Sequence, residues 1–474
     1  MPQRPGRPSP NILFILTDDH AAQAVGAYGS RVNTTPNIDR IAAGGARLDR
    51  CYATNALCAP SRASILTGTY NHVNGVQGLQ TRFDNRQETF AHRLQEAGYQ
   101  TGLFGKWHLG HGPEHDPRGF DDWLVFPGQG AYHDPLMLGA DGEHQQHGYA
   151  TDIVTDLSLD WLARRDTDKP FCLLTWHKAP HRPWEPDAAH AELYPDETIP
   201  LPETLFDDYA DRGPHAAAAR MRIAHDLTRT DVKADPPENL TGDELTIWYY
   251  RRYLSDYLRC IASVDDNVGR MLDYLDAAGL ADDTVVIYSS DQGFFLGEHG
   301  WYDKRFIYEE SMRMPFCVRW PGVILPGTVS TALCTNVDLA ATFCDVAGVE
   351  PGELNQGESM LDVWRGQPHA HWRDCFYYRY FEHNDGAHGV WAHYGVRTDR
   401  YKLVRFYNDG LGLPGTGPRT EPPYTEIYDL QEDPQELRSV ADDPAYADVV
   451  ADLENRLAGL QAELRDEPYS PATA

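Results

Sequence analysis

Apolar residues come in short unbroken runs more often than in alternation. Residues 11–17 (Asn-Ile-Leu-Phe-Ile-Leu-Thr), 171–176 (Phe-Cys-Leu-Leu-Thr-Trp) and 284–289 (Thr-Val-Val-Ile-Tyr-Ser) are the clearest. Such runs mark strands covered on both faces, as in a parallel sheet. Residues 101–104 and 316–320 predict two more. Between them, apolar positions recur at helical spacing. Residues 35–45 begin beside Pro36 and stop at glycine, and residues 87–97 are closed by Gly98. Residues 151–165, 245–278 and 337–347 predict further helices. Strands alternating with helices over this length imply a mostly parallel sheet flanked by helices. Residues 185–239, rich in Pro, Asp and Ala, read as a surface excursion. Beyond residue 366 the pattern changes. Residues 375–380, 394–398, 401–407 and 426–430 predict short antiparallel strands, and residues 446–464 a terminal helix. The division this suggests is a large α/β domain, residues 1–365, and a smaller α+β domain, residues 366–474.

A chain of 474 residues exceeds one typical domain, which agrees with that division. The formal net charge of -30 argues against nucleic acid, whose binding needs a basic footprint. An anionic substrate stays open, because a local basic cleft dominates its own field. No apolar run is long enough to span a bilayer, so no membrane partner is expected. Residues 1–10 carry arginines and prolines, and the apolar run after them is too short for a secretion signal and lacks a small-residue cleavage site. The expectation is a cytoplasmic protein, or a secreted or periplasmic one trimmed of its signal. Eight cysteines lie scattered, without zinc spacing or a disulfide framework, and are expected to be reduced.

Two of the buried strands end in oxygen-bearing pairs, Asp18-Asp19 and Asp291-Gln292. Ligands of open α/β sheets bind beyond the carboxyl ends of strands. Three carboxylates and an amide oxygen meeting there repel one another unless a cation holds them. Oxygen-only donors imply a hard cation, calcium before magnesium. A second segment, residues 55–68, centres on Cys58-Ala-Pro-Ser-Arg62. Ser61 is placed to cap a helix, Arg62 offers fixed donors on its first turn, and Gly68 ends it. A thiol at a helix start sits in a positive field.

The Cys58-to-Arg62 string, with Thr67-Gly68 behind it, resembles the signature of the type I sulfatases. Four more stretches carry the resemblance: Asp18-Asp19, Gly105-Lys-Trp-His-Leu-Gly110, Ala179-Pro-His181, and the run from Ser290, which takes in Asp291-Gln292, through Gly297-Glu-His-Gly-Trp to Lys304. The last of these is closest to the carbohydrate-sulfatase branch. The resemblance implies an alkaline-phosphatase-like catalytic domain and a formylglycine nucleophile that a formylglycine-generating enzyme makes from Cys58. It implies Ca2+ held by Asp18, Asp19, Asp291 and Gln292, with the Cys58 side chain against the same ion. It also implies Arg62, Lys106, His108, His181 and Lys304 as catalytic groups, with His177 a rival to His181. The activity implied is exo-hydrolysis of an O-sulfate on a small sulfated sugar, a hexosamine or uronate. The aromatic and imidazole cluster at residues 380–398 suggests His393 as a substrate contact. Two rivals follow: a formylglycine-dependent phosphonate monoester or phosphodiester hydrolase, and an unmodified, inactive binding protein.

Overall fold

The computed structural model describes residues 9–419 and 421–470. The arginines and prolines noted at residues 2–8 lie outside them. Ten strands form one sheet. Its centre is parallel, in the spatial order Thr284–Ser290, Asn11–Thr17, Phe171–Trp176, Gln100–Lys106, Asp122–Phe126. Phe316–Arg319, Ala46–Leu48 and Thr328–Ser330 extend one side. The hairpin Leu136–Gly139/Gly142–Gln145 extends the other.

The unbroken apolar runs are explained by the two faces they serve. Along Asn11–Thr17, Leu13 and Ile15 enter one core while Ile12, Phe14 and Leu16 enter the other. Successive strand side chains point to opposite faces, so a strand buried on both sides must be apolar throughout. Helices Gly242–Ala277 and Ala150–Arg164 cover the first face, and Cys58–Thr67, Phe90–Glu96 and Asp338–Ala347 the second. Register decides the rest. Thr17 lies opposite Ser290, and Trp176 opposite both Leu16 and Gly105. The four strands therefore finish level, and the residues that follow them emerge together.

Strands Cys375–Tyr380, His393–Thr398, Tyr401–Phe406 and Tyr424–Asp429 form a separate antiparallel sheet in sequential order. Helix Ala447–Leu464 packs on one face through Leu453, Leu457 and Leu464. Tyr378, Tyr380, Val404 and Phe406 on the other face meet Trp301 and Phe306 of the large sheet's loops.

Two expectations change. The strand expected over 101–104 runs on through Gly105 and Lys106, so the motif at 105–110 begins inside it. Residues 185–239 are only in part a surface excursion: they carry three short helices, and His215, Met221, Ile223 and Val232 are buried. The string after Gly297 holds them down. His299 N donates to Thr204 Oγ1 at 3.0 Å, Trp301 stacks on Tyr209 at 5.4 Å, and Tyr302 N donates to Met221 O at 2.9 Å. Composition hid this, because the partner string lies far along the chain.

Candidate active site

The helix Cys58–Thr67 begins after extended Leu57 and closes at Gly68, where φ is 65°. Ser61 is not its cap. The helix starts three residues earlier, and Ser61 Oγ instead donates to the Asp291 carbonyl. Cys58 lies on the first turn, 1% exposed. Burial pushes its thiol up to about 12, against the pull of Lys304. Arg62 ties this helix to the sheet. Its Nε and Nη2 reach Asp291 Oδ2 at 2.9 and 2.8 Å, and its Nη1 donates to the Lys106 carbonyl at 2.6 Å. The guanidinium lies over Trp176 at 5.2 Å.

The level strand ends gather the two oxygen pairs. One oxygen each from Asp18, Asp19 and Asp291 lie within 4.8 Å of one another. Asp18 Oδ1 and Gln292 Oε1 are buried with no hydrogen-bond donor among the described residues. Buried acceptors are rarely left so. Orphaned oxygens in an all-oxygen, three-carboxylate cluster fit a hard divalent cation such as calcium. Gln292 Nε2 donates to Asp19 Oδ1, which brings this side chain to the edge of the cluster. A second grouping within the same radius joins Asp18, Cys58 and His181.

Lysines and histidines surround the acids. Lys106 Nζ donates to Asp18 Oδ2 and Gln129 Oε1. Lys304 Nζ lies 2.7 Å from Asp19 Oδ1 and 2.8 Å from Oδ2. Burial raises Asp19 to about 6, with Lys304 opposing it. His181 Nδ1 is bonded to the Arg182 carbonyl at 2.6 Å. A carbonyl only accepts, so Nδ1 carries the proton and Nε2 faces Asp19 Oδ2 at 3.8 Å. Burial, then the Lys106 charge, pushes His181 and His108 well down. His108, at φ 60°, keeps Nδ1 buried and without a partner among the described residues. His177 is fully buried, both ring nitrogens without a partner among the described residues, and burial pushes it down to about 3. Of His177 and His181, His181 is the one that meets the acid cluster among the described residues.

His393 is not on a cleft wall. It is 0% exposed, its Nδ1–H donates to the Trp391 carbonyl at 2.7 Å, and its Nε2 accepts from Ile307 N at 3.1 Å. Tyr378, Tyr380, Phe306 and Phe406 pack around it. Alternation along an antiparallel strand turned it into the core between the two sheets.

The sequence motifs do not point to the residues flanking Lys304. Arg305 reaches Asp303 at 3.0 Å, Glu382 at 3.1 Å and His388 Nε2 at 3.2 Å. His388 Nδ1–H donates to Asp385 at 2.8 Å, and its side chain is 14% exposed. Asp303 and Arg305 bracket a lysine already singled out, which was the available signal. Gln129 had none.

A mostly parallel sheet whose strand ends gather acids, lysines and histidines around one helix start is the layout of the alkaline phosphatase superfamily. The sulfatase family model matches residues 10–349, and one described as N-sulphoglucosamine sulphohydrolase, C-terminal, matches 297–463. The chain belongs to the sulfatase family and is a carbohydrate sulfatase, a sulfuric ester hydrolase. It is 41% identical over 511 residues to an N-acetylglucosamine-6-O-sulfatase of Bacteroides thetaiotaomicron, covering 98% of this chain and 88% of that protein. It is 28% identical over 393 residues to the N-acetylglucosamine-6-sulfatase of Homo sapiens, covering 78% and 66%. A solved structure described as a complex with its substrate D-glucosamine-2-N,6-O-disulfate superposes with TM-score 0.90 at 40% identity, covering 97% of this chain and 99% of that one. The phosphonate monoester hydrolase of Agrobacterium radiobacter shares the fold at 22% identity, TM-score 0.75 and 96% coverage of each chain.

Proposed function

We propose that the protein removes the 6-O-sulfate from a terminal glucosamine-type sugar, using a formylglycine made from Cys58 and a calcium ion held by Asp18, Asp19, Asp291 and Gln292. The observation that carries the chemistry is the grouping of Cys58 with Asp18 and His181 within 4.8 Å. The substrate class rests on the 41% identity to an N-acetylglucosamine-6-O-sulfatase across nearly the whole chain.

Burial pushes the Cys58 thiol up to about 12, so in its unmodified form it is protonated and a poor nucleophile at neutral pH. Formylglycine supplies, as its hydrate, an oxygen nucleophile and a second hydroxyl on the same carbon. Calcium supplies charge neutralisation for sulfate oxygens. The chain's own residues do the rest. Lys106 holds a sulfate oxygen; burial pushes its ammonium well down, and the carboxylates of Asp18 and Asp291 stand beside it. His181 takes up a second proton, at Nε2, beside the bound sulfate anion and gives it to the leaving sugar oxygen, with Lys304 close by at Asp19. His108 takes the proton whose removal lets sulfate depart. Arg62 holds the Cys58 helix in register with Asp291. The Asp303–Arg305–Glu382–His388 network next to Lys304 offers hydrogen bonds to sugar hydroxyls. Because Cys58 is buried in the finished fold, the formylglycine-generating enzyme meets residues 58–68 before folding closes over them.

Assay of glucosamine sulfates carrying the ester at O6 or O3, of a 2-O-sulfated uronate and of a phosphonate monoester tests this. Sulfate release from the O6 esters is expected, faster from terminal than from internal residues. Faster turnover of the phosphonate or the uronate sinks the assignment. The mass of the tryptic peptide holding Cys58 is expected to show aldehyde in place of thiol when the maturation enzyme is present.

A further inference from the structure

We infer that Asp231 is a positioning residue for His181. It clamps the Arg182 guanidinium, and the Arg182 carbonyl in turn fixes the imidazole. This rests on the reading of His181 as proton donor to the leaving oxygen.

The contacts run in series. Arg182 Nε donates to Asp231 Oδ1 at 2.9 Å, and Nη2 donates to Oδ2. Asp231 is 2% exposed, and its Oδ2 also accepts from Thr228 N at 2.8 Å and Thr228 Oγ1 at 2.7 Å. A buried carboxylate gripping a guanidinium through two parallel bonds holds direction as well as charge. The far side of the guanidinium lies over the Tyr302 ring at 5.0 Å, with Nη1 3.4 Å from the Tyr302 hydroxyl. With its side chain gripped at both sides, and with Pro183 restricting its backbone, residue 182 has little freedom to turn its carbonyl. That carbonyl accepts from His181 Nδ1 and so aims Nε2 at Asp19. Tyr132 holds the other end, its hydroxyl donating to the His181 carbonyl at 2.8 Å.

Two features separate this from an ordinary ion pair. Asp231 belongs to the docked stretch 185–239, whereas His181 follows a strand of the sheet, so the clamp joins two separately built pieces. Tyr302 stands two residues before Lys304, whose ammonium contacts Asp19. Arg182 is thus the joint between the two groups placed at the leaving oxygen. A displacement of the imidazole by less than its own width costs an acid catalyst most of its effect.

A double-mutant cycle tests the inference on N-acetylglucosamine 6-O-sulfate. Asp231→Asn is expected to lower kcat about ten- to a hundredfold with KM within about twofold. In a His181→Ala background the same change is expected to lower kcat by less than about twofold, because the group it positions is gone. Arg182→Lys keeps the charge but loses the fork, and should behave alike. It decides the matter if a thermal melt shows that Asp231→Asn is unfolded. Equal losses in both backgrounds, or no loss in the parent, overturn the positioning role. A wild-type rate for His181→Ala alone would instead remove the acid assignment, and this inference with it.

Discussion

A histidine with both ring nitrogens bonded inside the protein has nothing left to offer a ligand, and His393 is one. Its ring is held by the Trp391 carbonyl and the Ile307 amide within a cage of aromatic rings. Truncation leaves a cavity and an unsatisfied amide. We expect His393→Ala to lower stability by about 2–4 kcal/mol in urea titration. KM for a sulfated sugar should stay within about twofold. A large rise in KM without loss of stability would return His393 to the substrate. Cys58 and Arg62 show the opposite case at the same scale. Their environment is just as buried, but it is made of charges and unpaired oxygens, which calls for a ligand and not for more packing.

Elements are pinned to one another by single acids. Asp265, on helix Gly242–Ala277, accepts from Ile38 N at 2.9 Å, Asn37 N at 3.1 Å and Asn37 Nδ2 at 3.0 Å, at the start of helix Pro36–Ala43. Burial raises its carboxyl to about 6, and those amides oppose the rise. The folded value lies above the unfolded one of about 3.9. Its contribution to stability is therefore full below about pH 4 and is lost as pH rises through about 6. Asp265→Asn should remove that dependence. In urea titrations the wild type, relative to the variant, should be more stable at pH 4 than at pH 7 by about 1–3 kcal/mol. A constant difference between the two proteins at both pH values contradicts the shift.

For the whole molecule, the decisive fact is that four strands end level. Level ends place Asp18-Asp19, Asp291-Gln292, Lys106 and the His177–His181 loop on one edge of the sheet. Crowded carboxylates there make the metal-free fold costly, in a chain whose formal net charge is already -30. Exhaustive chelation is expected to lower both activity and the melting temperature, and added calcium to restore both. Full activity and an unchanged melt after chelation would exclude a bound cation from the site.

Much of this was legible along the chain, because it depends on neighbours in sequence. The buried strands announce themselves as unbroken apolar runs, and the strand Phe171–Trp176 falls where its run does. The acids that end two of them, and the Cys58-to-Arg62 string, are likewise local. What the sequence could not decide is set by contacts between distant residues. The side to which His393 turns, the helix start at Cys58 instead of a cap at Ser61, and the docking of residues 185–239 under Trp301 all depend on a partner tens or hundreds of residues away. So does the clamp of Asp231 on Arg182. Periodicity records which positions are buried, but not what each buried side chain meets, and only the packed tertiary structure chooses that neighbour.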